Sequence, residues 1–234
     1  MPKPTTATKA ALASGAVAGP LFVLAFLVEG ATRARYQPLR HPVSSLALGG
    51  WGWVQSANFI VAGLLTLAFA AGLRSALRPG RGSTWGPLLV GAWAVGLLGA
   101  GIFVTDPVSG YPPGTPDLLT ERTGHGALHD YLSLVGFVGL TAACFVFARR
   151  FASRGQRGRA LYSVATAVVF AAGIVLSSLG FGQAAGLVGV AGLYQRVAVT
   201  AAWCWLTLLA VHLLRARDED RGQGTRVERV PLPA

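Results

Sequence analysis

Charge is scarce in this sequence. Aspartate, glutamate, lysine and arginine together make up 12% of its 234 residues, about half the share usual in a soluble domain. Acids are the scarcest, nine against twenty basic residues, which leaves a net charge of +11. Two cysteines exclude a disulfide scaffold and a cysteine-built zinc ribbon. Cys144 and Cys204 stand singly in apolar surroundings. Without a C-x-x-C pair they read as small hydrophobes, not as a membrane thiol–disulfide centre. A haem held between facing helices needs histidines deep in both, whereas His212 stands alone near the end of the last apolar stretch. A glutamate does not follow His125, where Gly126 stands instead, and no G-x-S-x-G elbow surrounds Ser44 or Ser45. The metalloprotease and α/β-hydrolase signatures are therefore absent.

Apolar residues are abundant, 53% of the chain. Six stretches reach the roughly 20 mostly apolar residues that a helix needs to cross a bilayer: 10–28, 53–73, 84–104, 127–148, 160–180 and 197–214. A helix satisfies its own backbone polar groups in lipid, so six such stretches define an all-α integral membrane bundle of six transmembrane helices. Residues 1–214 form this domain, and 215–234 read as a mobile, charged tail with too few large apolar residues to pack. The first stretch is too long for a signal-peptide core and is followed by Glu29 and Thr32-Arg33-Ala34-Arg35, so it reads as a retained anchor.

The basic residues set the orientation, because Lys and Arg near span ends resist translocation. Fifteen of the twenty lie on the side that holds both termini; only Arg33, Arg35, Arg40, Arg122 and Arg196 lie on the other. Both termini are therefore expected in the cytoplasm of a multi-pass plasma-membrane protein. The positive charge is spread over every connection on that side, without a folded basic domain or an aromatic platform, so no nucleic-acid partner is expected. The expected partners are membrane lipids, and assembly of several copies is left open. Segments 73–85 and 148–162 echo one another as short Arg- and Gly-rich turns, a likeness that the positive-inside rule accounts for. Gly15-x-x-x-Gly19 and the small residues of spans three and five suit close helix packing, and Pro20 should bend the first span. Trp51, Trp53 and Trp85 fall where interfacial anchors belong.

The acids and histidines are lopsided. Apart from four acids in the tail, Glu29, Asp106, Asp117, Glu121 and Asp130 all fall on or just beneath the outer face, as do His41, His125 and His129. Polar groups at bilayer depth are costly and usually face a bundle interior or a watery cavity, so an outward-opening polar pocket is expected there. Gln55 and Asn58, three apart, share one face of span two, and His125 and His129, four apart, share one face of span four. Three readings compete. The first is a metal site, with His41, His125 and His129 as ligands and zinc as the ion such ligands suit; Asp106 or Asp130 would orient or act as base. The second is a site for a lipid headgroup or another anion, drawn by Arg33, Arg35, Arg40 and Arg196, since arginine holds phosphate or carboxylate bidentately; Glu29, Asn58, Tyr111 and Gln195 join Arg40 and Arg196 as expected ligand-binding residues. The third is a set of ion pairs that merely closes the bundle.

These residues also carry a resemblance. Pro38-Leu39-Arg40-His41-Pro42-Val43-Ser44-Ser45-Leu46, Gln55, Asn58-Phe59, Thr105-Asp106-Pro107, Gly110-Tyr111-Pro112-Pro113-Gly114, His125, His129 and Gln195-Arg196 together resemble the bacterial and archaeal membrane proteins grouped as domain of unknown function nine-nine-eight. That resemblance covers most of the chain and implies a six-span membrane protein with no assigned activity. A looser similarity is to the membrane hydrolases that include alkaline ceramidases and adiponectin receptors. It implies a zinc-dependent hydrolase in which Ser44, Asp106, His41, His125 and His129 supply the inventory. Six spans in place of seven, a histidine pair that opens span four and an outward-facing cluster depart from that pattern. The expected function is binding of a lipid or amphiphile at the outer pocket, with metal-assisted hydrolysis as its catalytic form. The alternative is a transporter or a structural membrane subunit.

Overall fold

The computed structural model describes residues 6–78, 80 and 82–227, with 217–227 as backbone only. Six long helices account for the fold: α1 (Thr6–Thr32), α2 (Gly52–Leu77), α3 (Trp85–Ile102), α4 (Gly124–Ala152), α5 (Arg157–Phe181) and α6 (Ala191–Val227). Each is long and apolar enough to cross a membrane, and each contains the greater part of an expected span. The third is shorter than expected and stops at Ile102, because Thr105-Asp106-Pro107 cannot continue a helix. The segment expected to form a mobile tail is helical from Arg215 to Val227; residues 228–234 lie outside the described residues.

Each helix packs on its neighbours in sequence, and α6 returns to pack on α1, so the six helices close into a ring. Large side chains fill its axis. Trp203 of α6 lies against Phe22 of α1 and Trp93 of α3, with ring centroids 5.3 and 5.8 Å apart, and Trp93 meets Phe170 of α5 edge-on at 5.9 Å. Small residues set how closely neighbours approach. A β-carbon at Gly15 would press into the Phe69 ring of α2, and one at Gly19 would lie 3.0 Å from the Trp203 carbonyl oxygen of α6. The Gly-x-x-x-Gly pair thus receives two different helices. Gly96 of α3 lets α4 come to backbone contact, since a β-carbon there would sit 2.8 Å from the Leu132 carbonyl oxygen and 2.9 Å from the Gly136 Cα. Helix α1 runs through Pro20 without interruption. Trp51, Trp53 and Trp85 are exposed at helix ends, as anchors would be.

An even number of helices puts the α1–α2, α3–α4 and α5–α6 connections at one end, which we call the mouth end, opposite the chain termini. These three connections are ordered by one another. Arg40 pairs with Asp117 at 2.6 Å, and the Gln183 amide donates to the Asp117 carbonyl at 3.4 Å. Arg35, Ser109 and Gln183, one from each connection, have φ of 61°, 57° and 66°, a left-handed conformation that costs a non-glycine residue of order 1 kcal/mol.

Candidate functional site

A cavity of about 430 Å³ opens at the mouth end. Its position follows from the glycines. Those of α4 (Gly136, Gly139) face α3 and those of α5 (Gly173, Gly180) face α6, so the seam between α4 and α5 is lined by larger side chains. Asp130, Ser133, Leu134 and Phe137 of α4 then face Ile174, Ser177, Ser178 and Phe181 of α5 across the space. The Phe137 and Phe170 rings, 5.8 Å apart, bring the two helices together again below it. Leu134 and Ser178 are exposed at the rim.

The lining is graded. Ser44, Asp106, Arg122, His129, Asp130 and Gln195 lie toward the mouth, and Phe22, Phe59, Trp93, Leu97 and Val199 lie deeper. Asp106 owes its position to the start of α4. Its two carboxylate oxygens accept from the Thr123 amide at 2.9 Å and the Thr123 hydroxyl at 2.7 Å, and that hydroxyl in turn accepts from the Gly126 amide at 2.9 Å. A carboxylate at a helix N-terminus is favoured by the unpaired amides and by the dipole. Gly126 leaves room for it, since a β-carbon there would collide with the carboxylate. His129 is 4% exposed, and its Nδ1 lies 2.8 Å from the Phe103 carbonyl oxygen. A carbonyl only accepts, so that nitrogen carries the proton. Asp130 pairs with Arg122 at 3.2 Å, and both side chains are more than half exposed.

The structure divides the expected site residues into two groups. Ser44, Asp106, His129, Asp130 and Gln195 line the cavity; His41, Glu29, Arg40, Asn58, Tyr111, His125 and Arg196 do not. Arg196 holds the α1–α2 connection instead. Its guanidinium donates to the carbonyls of Pro38, His41 (2.9 Å) and Gly192 (3.0 Å) and to the Tyr36 hydroxyl, and it lies 5.4 Å above the Tyr36 ring. Its neighbour Gln195 uses its side-chain oxygen to accept from the Val43 amide at 2.7 Å. The Tyr36 hydroxyl donates to the Pro42 carbonyl at 2.8 Å. Burial, countered by Arg196, pushes this phenol up to about 12, so it stays a neutral donor. The expected anion site is thus replaced by a clamp built on backbone carbonyls. Arg33 is likewise engaged, by Glu29 at 3.0 Å and by the carbonyls of Leu48 and Trp51. Asn58 bonds to the Phe22 carbonyl and to Gln55 within the α1–α2 contact.

The expected zinc triad is not assembled either. His41 accepts the Gln37 amide on Nδ1 at 2.9 Å and its ring packs on Tyr36 and Tyr111, with centroids 5.4 and 5.1 Å away. Burial, reinforced by the Arg40 charge, holds its basicity below the ordinary histidine value. Tyr111, also raised by burial, serves the same stack and not a ligand. His125 is exposed and packs edge-on to the Phe103 ring at 5.6 Å, while His129 turns to the Phe103 carbonyl. Among the described residues no three of His, Cys, Asp and Glu come close enough to hold a metal ion. Ser44 has no histidine base from the segment that carries it, because His41 is locked in its stack. Ser133, Ser177 and Ser178, three hydroxyls on the cavity wall, escape sequence reasoning. Polar residues inside apolar spans were the available signal.

Six helices long and apolar enough to cross a membrane, packed in a closed ring, define a multi-pass membrane protein. The chain belongs to the family described as Protein of unknown function (DUF998), whose model matches residues 16–212. No curated protein and no solved structure matches it.

Proposed function

We propose that this protein binds a lipid or other amphiphile in the cavity between α4 and α5, in a cell membrane with both chain termini cytoplasmic. The observation that supports the reading is the graded lining: ionisable and hydroxyl groups at the mouth, aromatic rings below. A volume of about 430 Å³ lies within the range of ligand pockets, which combine apolar walls with a few placed polar groups. An amphiphile dissolved in the bilayer could enter sideways, because the exposed Leu134 and Ser178 at the rim belong to the apolar body of their helices.

The test is native mass spectrometry of protein extracted in a mild detergent. Ser133→Trp, which fills the cavity from α4, should remove a co-purifying amphiphile. Val138→Trp, on an exposed face of the same helix, should retain it. Wild-type protein free of any amphiphile, together with a Ser133→Trp variant that melts identically in added lipid, would overturn the reading.

A further inference from the structure

We infer that the occupant of this cavity is a single-chain amphiphile whose head donates hydrogen bonds and carries no negative charge. The inference rests on the cavity reading above and specifies its ligand. Three observations lead to it.

The first is charge. The ionisable residues on the cavity wall are Asp106, Arg122, His129 and Asp130, two carboxylates to one guanidinium. That guanidinium is already paired with Asp130 at 3.2 Å. Of the other arginines at this end of the bundle, none lines the cavity, and three are engaged elsewhere: Arg33 by Glu29, Arg40 by Asp117 and Arg196 by the carbonyls of the α1–α2 connection. A phosphate or carboxylate head would meet two carboxylates on a wall whose one guanidinium is already paired.

The second is the start of α4. Its unpaired amides are a place beside the cavity where an anion would settle. Asp106 occupies it, bonded to the Thr123 amide and linked through the Thr123 hydroxyl to the Gly126 amide. What the Asp106 and Asp130 carboxylates then present to a ligand is acceptor capacity. An ionised carboxylate has about four acceptor sites, and one contact from Thr123 reaches each Asp106 oxygen. A hydroxyl or an ammonium group satisfies the remaining sites; a head made only of acceptors cannot.

The third is size. A cavity of about 430 Å³ lies toward the small end of the roughly 300–1,000 Å³ span of ligand pockets, which suits one alkyl chain with a small head better than a two-chain phospholipid.

The experiment compares three probes with the same alkyl chain on the purified full-length protein in a neutral detergent: dodecylammonium, monolauroylglycerol and laurate. Binding is read as the shift in melting temperature and as affinity by titration, for wild type, Ser133→Trp and Asp130→Asn. The ammonium probe, the glycerol probe or both should stabilise wild type more than laurate does, and Ser133→Trp should abolish the effect. Asp130→Asn removes a carboxylate and frees Arg122, so the ammonium probe should weaken by about tenfold and laurate should gain. Which donor probe wins distinguishes a cationic from a hydroxylic head. Laurate binding as tightly as the donors, and lost in Ser133→Trp, would overturn this inference while leaving the cavity reading intact. Failure of all three probes to bind in a Ser133→Trp-sensitive way would overturn both.

Discussion

The guanidinium of Arg196 bonds to the hydroxyl of Tyr36 across 160 residues of sequence, joining the start of α6 to the connection that leaves α1. The same guanidinium holds the carbonyls of Pro38, His41 and Gly192. Planar, fixed donors suit such a set better than one ammonium does. Arg196→Ala should therefore destabilise the bundle by about 3 kcal/mol, since several half-buried acceptors lose a charged donor together. Arg196→Lys should recover less than half of that loss. Melting of both variants in detergent, beside Tyr36→Phe, measures it. A near-silent Arg196→Ala would show that the clamp is dispensable.

Acid should weaken the same connection. Burial and the Arg40 charge make folded His41 harder to protonate than an unfolded histidine, whose ordinary value is 6.5. The unfolded chain therefore binds more protons in acid. His41 contributes its stability in full above that value and loses it as pH falls through the depressed folded one. Melting temperature should hold above about pH 7 and decline toward about pH 5. His41→Asn, which keeps an acceptor for the Gln37 amide, should lower the plateau and flatten the decline. An unchanged acid slope in that variant would assign the decline to another group.

Asp106 and Thr123 act in series on the first turn of α4. Thr123→Ala should cost about 1 kcal/mol, as loss of an N-cap does. Asp106→Asn should cost about 1–2 kcal/mol, because an amide offers one acceptor oxygen where the carboxylate uses two. The double variant should lose less than the sum, since either change breaks the relay to the Gly126 amide. Strict additivity in a double-mutant cycle would contradict the relay.

Two glycines of α3 should respond in opposite ways. A β-carbon at Gly96 would meet α4 backbone, whereas nothing lies within 4 Å of one at Gly91. Gly96→Val should destabilise by about 1–3 kcal/mol through overpacking. Gly91→Ala should be neutral or stabilising by up to about 1 kcal/mol through helix propensity. Thermal denaturation of the two variants side by side makes the comparison.

The proposed orientation places Ser153 inside the cell and Gly114 outside. Single cysteines introduced at these exposed turns, in a background with Cys144 and Cys204 replaced by serine, should differ in labelling of intact cells by a membrane-impermeant maleimide. Gly114→Cys should label and Ser153→Cys should not. The reverse pattern would invert the topology.

The six helices were readable because hydropathy and length report directly on what a bilayer demands, and neither depends on the partners a helix finds. The site was readable only in part. Of the acids and histidines grouped by membrane side, Asp106, His129 and Asp130 line one cavity, together with Ser44. That grouping could not tell a side chain that faces a ligand from one that faces the chain's own backbone. Arg196 and Gln195 adjoin in sequence, yet only Gln195 reaches the cavity wall. The i, i+4 spacing of His125 and His129 places them on one helix face, but the exposed ring of one and the buried ring of the other meet different parts of Phe103. The deep wall was hidden for another reason. Phe22, Trp93 and Phe137 look alike whether they face lipid, core or cavity, and only the glycines of the neighbouring seams decide which.

Closure of the ring has a consequence for biosynthesis. Helix α1 leaves the ribosome first, but the partner for its Gly19 surface is Trp203 and Thr207 of α6. Until the final span inserts, the first must wait in the bilayer with that notch unfilled and the Tyr36 hydroxyl without its guanidinium. Shortened chains that stop before α6 should therefore be natural targets for membrane quality-control proteases.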